Sequence, residues 1–361
     1  MRSVNFNIVI GTRPNIVKAA ALVYAIRQHN ESNVSSPLSY RLIHTGQHYD
    51  VLLSGSLLKD LDLGAPDIHL QAHKTRRESR LGRMVADLIS VFKQCPAHKV
   101  VVFGDVDSTL AASIAAKETG QYLVHIESGL RSGNLSMPEE RNRKLSDSLS
   151  DLLLTSLPSA QQNLINEGYP TESIKFVGNL MIDTLMHSLS KCKPPQGLEV
   201  KEGEYLVLTI HRQSNTKNPE VILQLLTAIL SSAGDITIIF PAHPRTRKLI
   251  SQLDMTHKNL LIIEPLPYLE FGYLMQHCRG VITDSGGVSE EATVYNKPCI
   301  SLRRETERGE TITMGTNMLS DGSSQHLEEL IHNIATNKWK QSQSIPGWDG
   351  RAGVRALASI S

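Results

Sequence analysis

"KVVVFGDVDSTLAASIAAKE", residues 99 to 118, decides the fold. Val100 to Phe103 are apolar on both faces, the run breaks at Gly104-Asp105, and a helical stretch rich in alanine follows. A strand with no polar face belongs between two layers of helices, which is the position of strands in an open parallel sheet. The same grammar recurs on either side. "FNIVIG", "YRLIHTG", "YLVHIESG", "DLLLTS" and "IKFVGN" fill the first half, and "YLVLTIH", "ITIIFPAH", "NLLIIEP", "RGVITDSGG", "PCISL" and "TNMLSD" the second, with helical stretches between them. Two doubly wound, Rossmann-like α/β domains are therefore expected, with a chain of 361 residues long enough for both.

Lys193-Pro194-Pro195-Gln196-Gly197 has loop chemistry and places the boundary near residues 178 to 200. The predicted domains are 1–177, with a C-terminal segment of about 345–361 packing back on it, and 178–344. In such sheets ligands gather beyond the carboxyl ends of the strands, so the two domains are expected to face a central cleft.

Composition narrows the function classes. The net charge of +1, with 40% hydrophobic and 20% charged residues, gives no bulk attraction for nucleic acid or an anionic membrane. Phe6 to Ile10 is too short for a signal-peptide core, no stretch reaches membrane-spanning length, and a cytoplasmic protein is expected. The four cysteines, Cys95, Cys192, Cys278 and Cys299, show no ligand spacing and read as buried thiols.

The polar residues at strand ends carry the chemistry. Gly11-Thr12-Arg13-Pro14 opens a helix containing Lys18: an anion site, or a glycine turn with exposed basic residues. Asp107 has the place of an N-cap, while Asp105 comes too early for one and projects from the strand end. "HIESGLRSGNLSMPEERNRKLSD", residues 125 to 147, crowds Glu127, Glu139 and Glu140 with Arg131, Arg141 and Arg143. Ser136 and Glu139 have capping-box spacing, Pro138 lies in the first turn, and Leu145, Leu149 and Leu152 read as a helical apolar stripe. The arginines would keep the acids close without mutual repulsion, and acids at converging strand and helix ends suit proton transfer at two faces of one carbon.

In the second half His211-Arg212 follows a strand, and "PAHPRTRK" adds His243, Arg245 and Arg247. Residues 283 to 298, "TDSGGVSEEATVYNKP", are the strongest local signal. Ser285-Gly286-Gly287 lets backbone N–H groups approach a phosphate at a helix start, and Glu290 or Glu291 could accept ribose hydroxyls. The pattern reads as a nucleotide site.

GTRP with Lys18, TGQHYD at 45 to 50, GDVDSTLA, HIESGLRSGN, PEERNR, IHR and DSGGVSEEA, in this order, resemble the non-hydrolysing UDP-N-acetylglucosamine 2-epimerases. The resemblance spans about residues 7 to 322. It implies a glycosyltransferase-B type fold, the catalytic residues Asp105, Glu127, Glu139 and His211, basic residues Arg13 and Lys18, a diphosphate loop Ser285-Gly286-Gly287, and Glu291 on the uridine ribose. Arg212 and His243 join the substrate-binding set. The departures are Asn15 where the family usually has Glu, Gln213-Ser214 in place of RE, Ser289 in place of Gln, and Asp50 where members activated by their substrate at a second site carry Gln.

The C2 proton of an N-acetylhexosamine is not acidic, so loss of UDP must lead, giving a 2-acetamidoglucal that is reprotonated on the opposite face. No nicotinamide fingerprint or metal-ligand spacing is present, and no cofactor is expected. The expected partners are a UDP-sugar and, by resemblance, a second copy of the chain. The rival readings are a 2-epimerase of a modified sugar such as a UDP-2,3-diacetamido uronate, a hydrolysing 2-epimerase, a glycosyltransferase of the same architecture, and a regulatory nucleotide-sugar binding protein.

Overall fold

The computed structural model describes residues 4–361 except 33–34, 48–50, 73–76, 217, 252–256 and 321–322, and of 51–54, 77–78, 213–214 and 245 the backbone alone. His48, Tyr49 and Asp50 of the TGQHYD motif, and the side chains of Gln213, Ser214 and Arg245, thus lie outside the described residues. By contacts the chain divides into two compact units, Met1–His187 with Pro346–Ser361, and Ser188–Ile345.

The first unit holds β1 (Val4–Ile10), β2 (Tyr40–His44), β3 (Ile68–His69), β4 (Ala97–Phe103), β5 (Tyr122–Ser128), β6 (Leu152–Thr155) and β7 (Ile174–Phe176). They form one sheet in the order β3-β2-β1-β4-β5-β6-β7. The second unit holds β8 (Tyr205–Thr209), β9 (Thr237–Pro241), β10 (Leu260–Ile263), β11 (Gly280–Thr283), β12 (Cys299–Ser301) and β13 (Asn317–Leu319), in the order β10-β9-β8-β11-β12-β13. Every pairing is parallel, with Ile8 of β1 opposite both Leu42 and Val101. The expected strands are all present. Only β3 was not anticipated, because two residues carry no periodicity.

Alternation along the strands feeds a layer on each face. In the second unit Leu206 and Leu208 point to one side, against Ile222, Leu226, Leu330 and Ile331, while Val207 points to the other, against Leu274, Met275 and Ala292. In the first unit Val100, Val102 and Leu123 meet Met84, Leu88 and Phe92, and Ala111, Ala112, Ala115 and Ala116 let the helix Asp107–Glu118 sit close. The helix Arg13–Ser32 is buried without interruption from Asn15 to Val23, so it needs a cover on its outer side. The helix Ala352–Ile360 supplies it: Gly353 donates its N–H to Asp183 at 2.7 Å, and a Cβ on Gly353 would lie 2.5 Å from the Ala21 carbonyl oxygen. Cys95, Cys278 and Cys299 are buried free thiols; Cys192, expected buried, is only half-buried. Among the described residues no helix is long and apolar enough to cross a membrane.

In both sheets the winding reverses between the first strand and its later neighbour, β1/β4 and β8/β11, and loops leaving these carboxyl ends splay apart to admit a ligand. The first of these crevices is braced from three sides. Ser108, after β4, donates its N–H and hydroxyl to the Gln47 side-chain oxygen at 2.8 and 2.6 Å, and its Oγ lies 2.7 Å from that of Thr45, after β2. Gly11, after β1, fits only because it lacks a side chain: a Cβ there would lie 1.9 Å from the Ser108 Oγ and 2.6 Å from the Thr45 Oγ1. Gly11→Ala should therefore destabilise the protein by about 1–3 kcal/mol, as overpacking does. Urea unfolding of the variant beside wild type, at unchanged m value, measures it.

Candidate active site

β5 ends irregularly, with a register shift between Ile126 and Ser128 that puts Glu127 at φ 67°, in the left-handed region. Such a position costs a non-glycine residue about 1–3 kcal/mol and persists only when its surroundings fix it. Here they do. The Glu127 carboxylate forms an ion pair with Lys18, both side chains being under one-tenth exposed. Gly104, at φ 62° after β4, lies directly against the pair, since a Cβ on it would meet Glu127 Oε2 at 3.0 Å and Lys18 Nζ at 3.1 Å. Lys18, read from sequence as one of two cations for an anion, is thus committed to a carboxylate. Arg13 is half-buried at the first position of the same helix.

Asp105 follows Gly104 and is ion-paired with Arg143, which also holds Glu140 at 2.5 Å. Glu140, 2% exposed, accepts in addition from the Ser132 N–H and hydroxyl at 3.0 Å each and from the Gly133 N–H at 3.3 Å. It therefore shapes the loop and, through Arg143, sets Asp105. Deeper in, His125 bridges Asp147 and the Gly104 carbonyl oxygen, both at 2.7 Å. Arg131 joins Asp147 at 2.7 Å to Glu167 at 2.7 Å. Burial works against the Arg131 charge, yet these acids more than offset it and raise its pKa, while Arg131 and then Lys144 hold the Glu167 carboxyl down to about 2.

Three expectations for this region are corrected. The helix Pro138–Leu149 has Met137 as its N-cap without a side-chain bond, so the Ser136–Glu139 capping box does not form. Ser136 instead donates its hydroxyl to Asn134 at 2.7 Å. Its buried face is Glu140, Asn142, Arg143, Ser146 and Asp147, with Leu145 51% exposed, so there is no inward leucine stripe; Leu152 belongs to β6. Asp107 is the first residue of its helix rather than the N-cap, which is Val106, and it accepts from the Asn142 amide at 3.0 Å. Arg131 and Arg143 are the offsetting arginines, and Arg141 is exposed. Asp105, Glu127 and Lys18 are brought together around Gly104. Glu139 stays exposed on the first helical turn, with no hydrogen bond or ion pair among the described residues.

The second unit centres on Asp284, wholly buried at the end of β11. Its carboxylate takes His211 Nδ1 at 2.7 Å, the His211 N–H at 3.1 Å, the Arg212 N–H at 2.9 Å and the Asn215 amide at 3.0 Å. Burial alone would push this carboxyl up, but the His211 hydrogen bond and charge, with the Arg212 N–H and Asn215, hold it below the ordinary range. His211 is fixed on one nitrogen while its ring stays 59% exposed, leaving the other nitrogen free to face a ligand. Sequence reasoning passed over Asp284, although it stands one residue past a strand end, as Asp105 stands two past its own. Ser285 caps the helix Gly286–Val294, accepting from the Val288 N–H at 3.4 Å, so Gly286 and Gly287 form its first turn. Glu290, one of two acids offered for ribose hydroxyls, is instead 2% exposed and paired with Arg308 at 3.0 Å. Glu291 is buried beside Tyr295, whose phenol is pushed up by burial and then by the Glu291 charge. His243 is exposed at the start of the helix Pro244–Ser251.

Two measurements test these pairings. Asp284→Asn loses the charge on which four donors converge and should lower stability by about 1–3 kcal/mol, read from urea unfolding. Glu167 and Asp284 both have depressed folded pKa values, so their contribution is fully present above the unfolded values and lost as pH falls. For Glu167 the window runs from 4.5 down to about 2. Melting temperatures should therefore fall through that window, and Glu167→Gln should flatten part of the fall.

Comparison with known proteins agrees with this geometry. A family model described as UDP-N-acetylglucosamine 2-epimerase matches residues 30–361. The UDP-N-acetylglucosamine 2-epimerase of Methanococcus maripaludis is 34% identical over 360 residues, covering 96% of this chain and 95% of that protein. The UDP-2,3-diacetamido-2,3-dideoxy-D-glucuronate 2-epimerase of Pseudomonas aeruginosa is 37% identical over 318 residues, covering 86% of each. The crystal structure of Methanocaldococcus jannaschii UDP-GlcNAc 2-epimerase with UDP-GlcNAc and UDP superposes with a TM-score of 0.86 at 31% identity over 98% of each chain, and shares the pair of parallel-sheet α/β domains of the glycosyltransferase-B type. A match that takes in both sheets and all the strand-end clusters admits one conclusion: the chain belongs to the UDP-N-acetylglucosamine 2-epimerase family.

Proposed function

We propose that the protein interconverts UDP-N-acetylglucosamine and UDP-N-acetylmannosamine by eliminating UDP and adding it back through a 2-acetamidoglucal. The observation that carries this is the seating of Asp105 and Glu127 at the carboxyl ends of the adjacent strands β4 and β5, each with a cation of its own. Carboxylates on neighbouring strand ends can serve a carbon that loses a proton from one face and regains it on the other. As the C1–O bond to the diphosphate breaks, positive charge at C1 acidifies the C2 proton. A carboxylate removes it, and the electron pair forms the C1–C2 double bond. Return of a proton to the opposite face of C2 and of UDP to C1 completes the inversion. Substrate and product have the same oxidation level, so the reaction as written needs no cofactor.

In this scheme Asp105, Glu127 and Glu139 handle the C2 proton, and Arg13 with His211 offsets the charge of the leaving diphosphate. Ser285, Gly286 and Gly287 hold the diphosphate, Glu291 holds the ribose, and Lys18, Arg212 and His243 complete the binding set. Lys18 acts by fixing Glu127. The protein is taken to work in the cytoplasm as a homodimer, which sedimentation tests. A second reading, a modified sugar such as a UDP-2,3-diacetamido uronate, is favoured by the 37% identity to the Pseudomonas aeruginosa relative.

Proton NMR of the protein with UDP-N-acetylglucosamine in D₂O, without acceptor, metal or nicotinamide, should show UDP-N-acetylmannosamine carrying deuterium at C2. Turnover of the diacetamido uronate alone would select the second reading, and release of free N-acetylmannosamine would overturn reversible epimerisation. Glu127→Gln and Asp105→Asn should each lose roughly 10²- to 10⁴-fold in kcat. Near-normal turnover in either would remove that residue from the scheme.

A further inference from the structure

His125 has no task in the reaction scheme, yet it is wholly buried in β5, two residues before Glu127. Both of its ring nitrogens are engaged. Nδ1 meets the Asp147 carboxylate and Nε2 the Gly104 carbonyl oxygen, each at 2.7 Å. A carboxylate and a carbonyl oxygen only accept, so each contact needs a hydrogen of its own, and a neutral imidazole carries one. The pair therefore keeps a second buried hydrogen. The other Asp147 oxygen is already taken, by Arg131 at 2.7 Å and by the Gly129 N–H at 3.3 Å, so Asp147 presents a carboxylate and the hydrogen belongs to an imidazolium.

Among the described residues, other charges reach this pair from two sides. Arg131 leads from Asp147 to Glu167, which also takes Lys144 at 2.9 Å. Tyr169 lies by the same group, its phenol pushed up by burial and then by the Asp147 charge. Across Gly104 stand the Glu127–Lys18 pair and, on the following residue, Asp105 with Arg143. The residues beside His125 in the neighbouring strands are Val102 and Leu153, both apolar and wholly buried. With water excluded, the ring depends on Asp147 as its counter-ion and on the Gly104 carbonyl as its second acceptor.

What the ring holds is the turn that carries Asp105. The carbonyl of Gly104 belongs to the peptide that contains the Asp105 nitrogen, and the Gly104 N–H is itself donated to the Ile126 carbonyl oxygen at 2.9 Å. Gly104 is thus fastened to β5 at both ends. The plane of that peptide sets where the Asp105 side chain leaves the backbone. The helix Pro138–Leu149 grips the same turn at two more points, Asn142 donating to the Asp105 carbonyl oxygen at 3.1 Å and Arg143 pairing with its carboxylate. Asp147, one turn beyond Arg143, joins this helix to Gly104 through His125.

We propose that His125, held by Asp147, is a positioning residue for epimerisation: its imidazolium clamps the Gly104 carbonyl and so keeps Asp105 aimed beside Glu127. The inference rests on the part given above to Asp105 and Glu127 in moving the C2 proton. Without the clamp the turn still folds but the carboxylate wanders, and a displacement of about 1 Å in a reacting group costs about 10²-fold. The loss falls on kcat, whereas UDP affinity, assigned to the second unit, stays. Deprotonation of the ring does the same, so the clamp is present at low and neutral pH and is released as pH rises.

The test follows kcat against pH in wild type, beside NMR of the His125 ring in protein labelled with ¹⁵N-histidine. The expected result is a ring with hydrogen on both nitrogens at neutral pH, and an alkaline fall in kcat in step with the loss of one of them. In Asp147→Asn, which removes the counter-charge and keeps an acceptor, that fall should begin at lower pH. His125→Leu should lose roughly 10- to 10²-fold in kcat with UDP affinity within about twofold of wild type, and His125→Gln, which restores a donor, should recover part of the loss. Should the variants not fold, the wild-type profile and ring spectrum decide by themselves. A single ring hydrogen at neutral pH, a kcat indifferent to deprotonation of the ring, or a folded His125→Leu within about twofold of wild type would overturn the clamp and leave epimerisation standing. Wild type that leaves both UDP-N-acetylglucosamine and the diacetamido uronate unchanged would instead remove the reaction, and the catalytic role of the clamp with it.

Discussion

The pairing of Glu127 with Lys18 is the constraint on which the first unit depends. Glu127 stands at φ 67° at the end of β5, a conformation its own side chain disfavours, and its carboxylate is aimed at a lysine of the helix Arg13–Ser32. Lys18 is reached only if the helix Arg13–Ser32 begins where it does, after Gly11, and Gly11 in turn has room only against Ser108 and Thr45. Gly104 has no side chain because both members of the pair occupy the space. Four loops are thereby tied to one ion pair. Its worth is not stability as such, since a buried pair gains little over apolar packing, while losing one partner costs about 3–5 kcal/mol. What the pair secures is the place of a carboxylate.

This explains what the sequence could and could not disclose. Parallel strands buried on both faces are apolar runs with polar stops, and the runs around "KVVVFGD" and "YLVLTIH" were legible for that reason. The helix Pro138–Leu149 was not. Its inward face carries Glu140, Arg143 and Asp147, and a charged inward face has the same periodicity as a solvated outward one. Leu145 therefore looked like core and is 51% exposed, while Glu140, given no role of its own beyond the crowd of acids, is 2% exposed. The capping box failed for a related reason, because Ser136 has a nearer partner in Asn134 and it is Glu140 that binds the loop. Asp284 was hidden by its neighbours, since the Ser285-Gly286-Gly287 loop directly after it draws the reading to the backbone. Glu290 shows the converse, a residue whose plausible ligand was another protein side chain.

The two units use one strand order for opposite electrostatic ends. At the β1/β4 crevice the groups offered to a ligand are acids, and the cations Lys18 and Arg143 hold them from beneath. At the β8/β11 crevice the order is reversed: His211 stands over the buried Asp284, and Arg303 and Arg308 are paired with Glu307 and Glu290. The sheets differ little in this respect; the sign is set by residues at the strand ends and on the loops and helices that follow them. In both places the partner is more than nine-tenths buried or nearly so, and the working group keeps its geometry through the partner rather than through packing of its own.

That arrangement bears on catalysis directly. A reaction that separates charge, as elimination of a diphosphate does, is slowed whenever dipoles must reorient as charge develops. Acids already fixed by cations and cations already fixed by acids have nothing left to reorient. The polar interior of the helix Pro138–Leu149 and the strained backbone at Glu127 are thus two parts of one solution: each forgoes some folding free energy so that groups of like charge stand together before the substrate arrives.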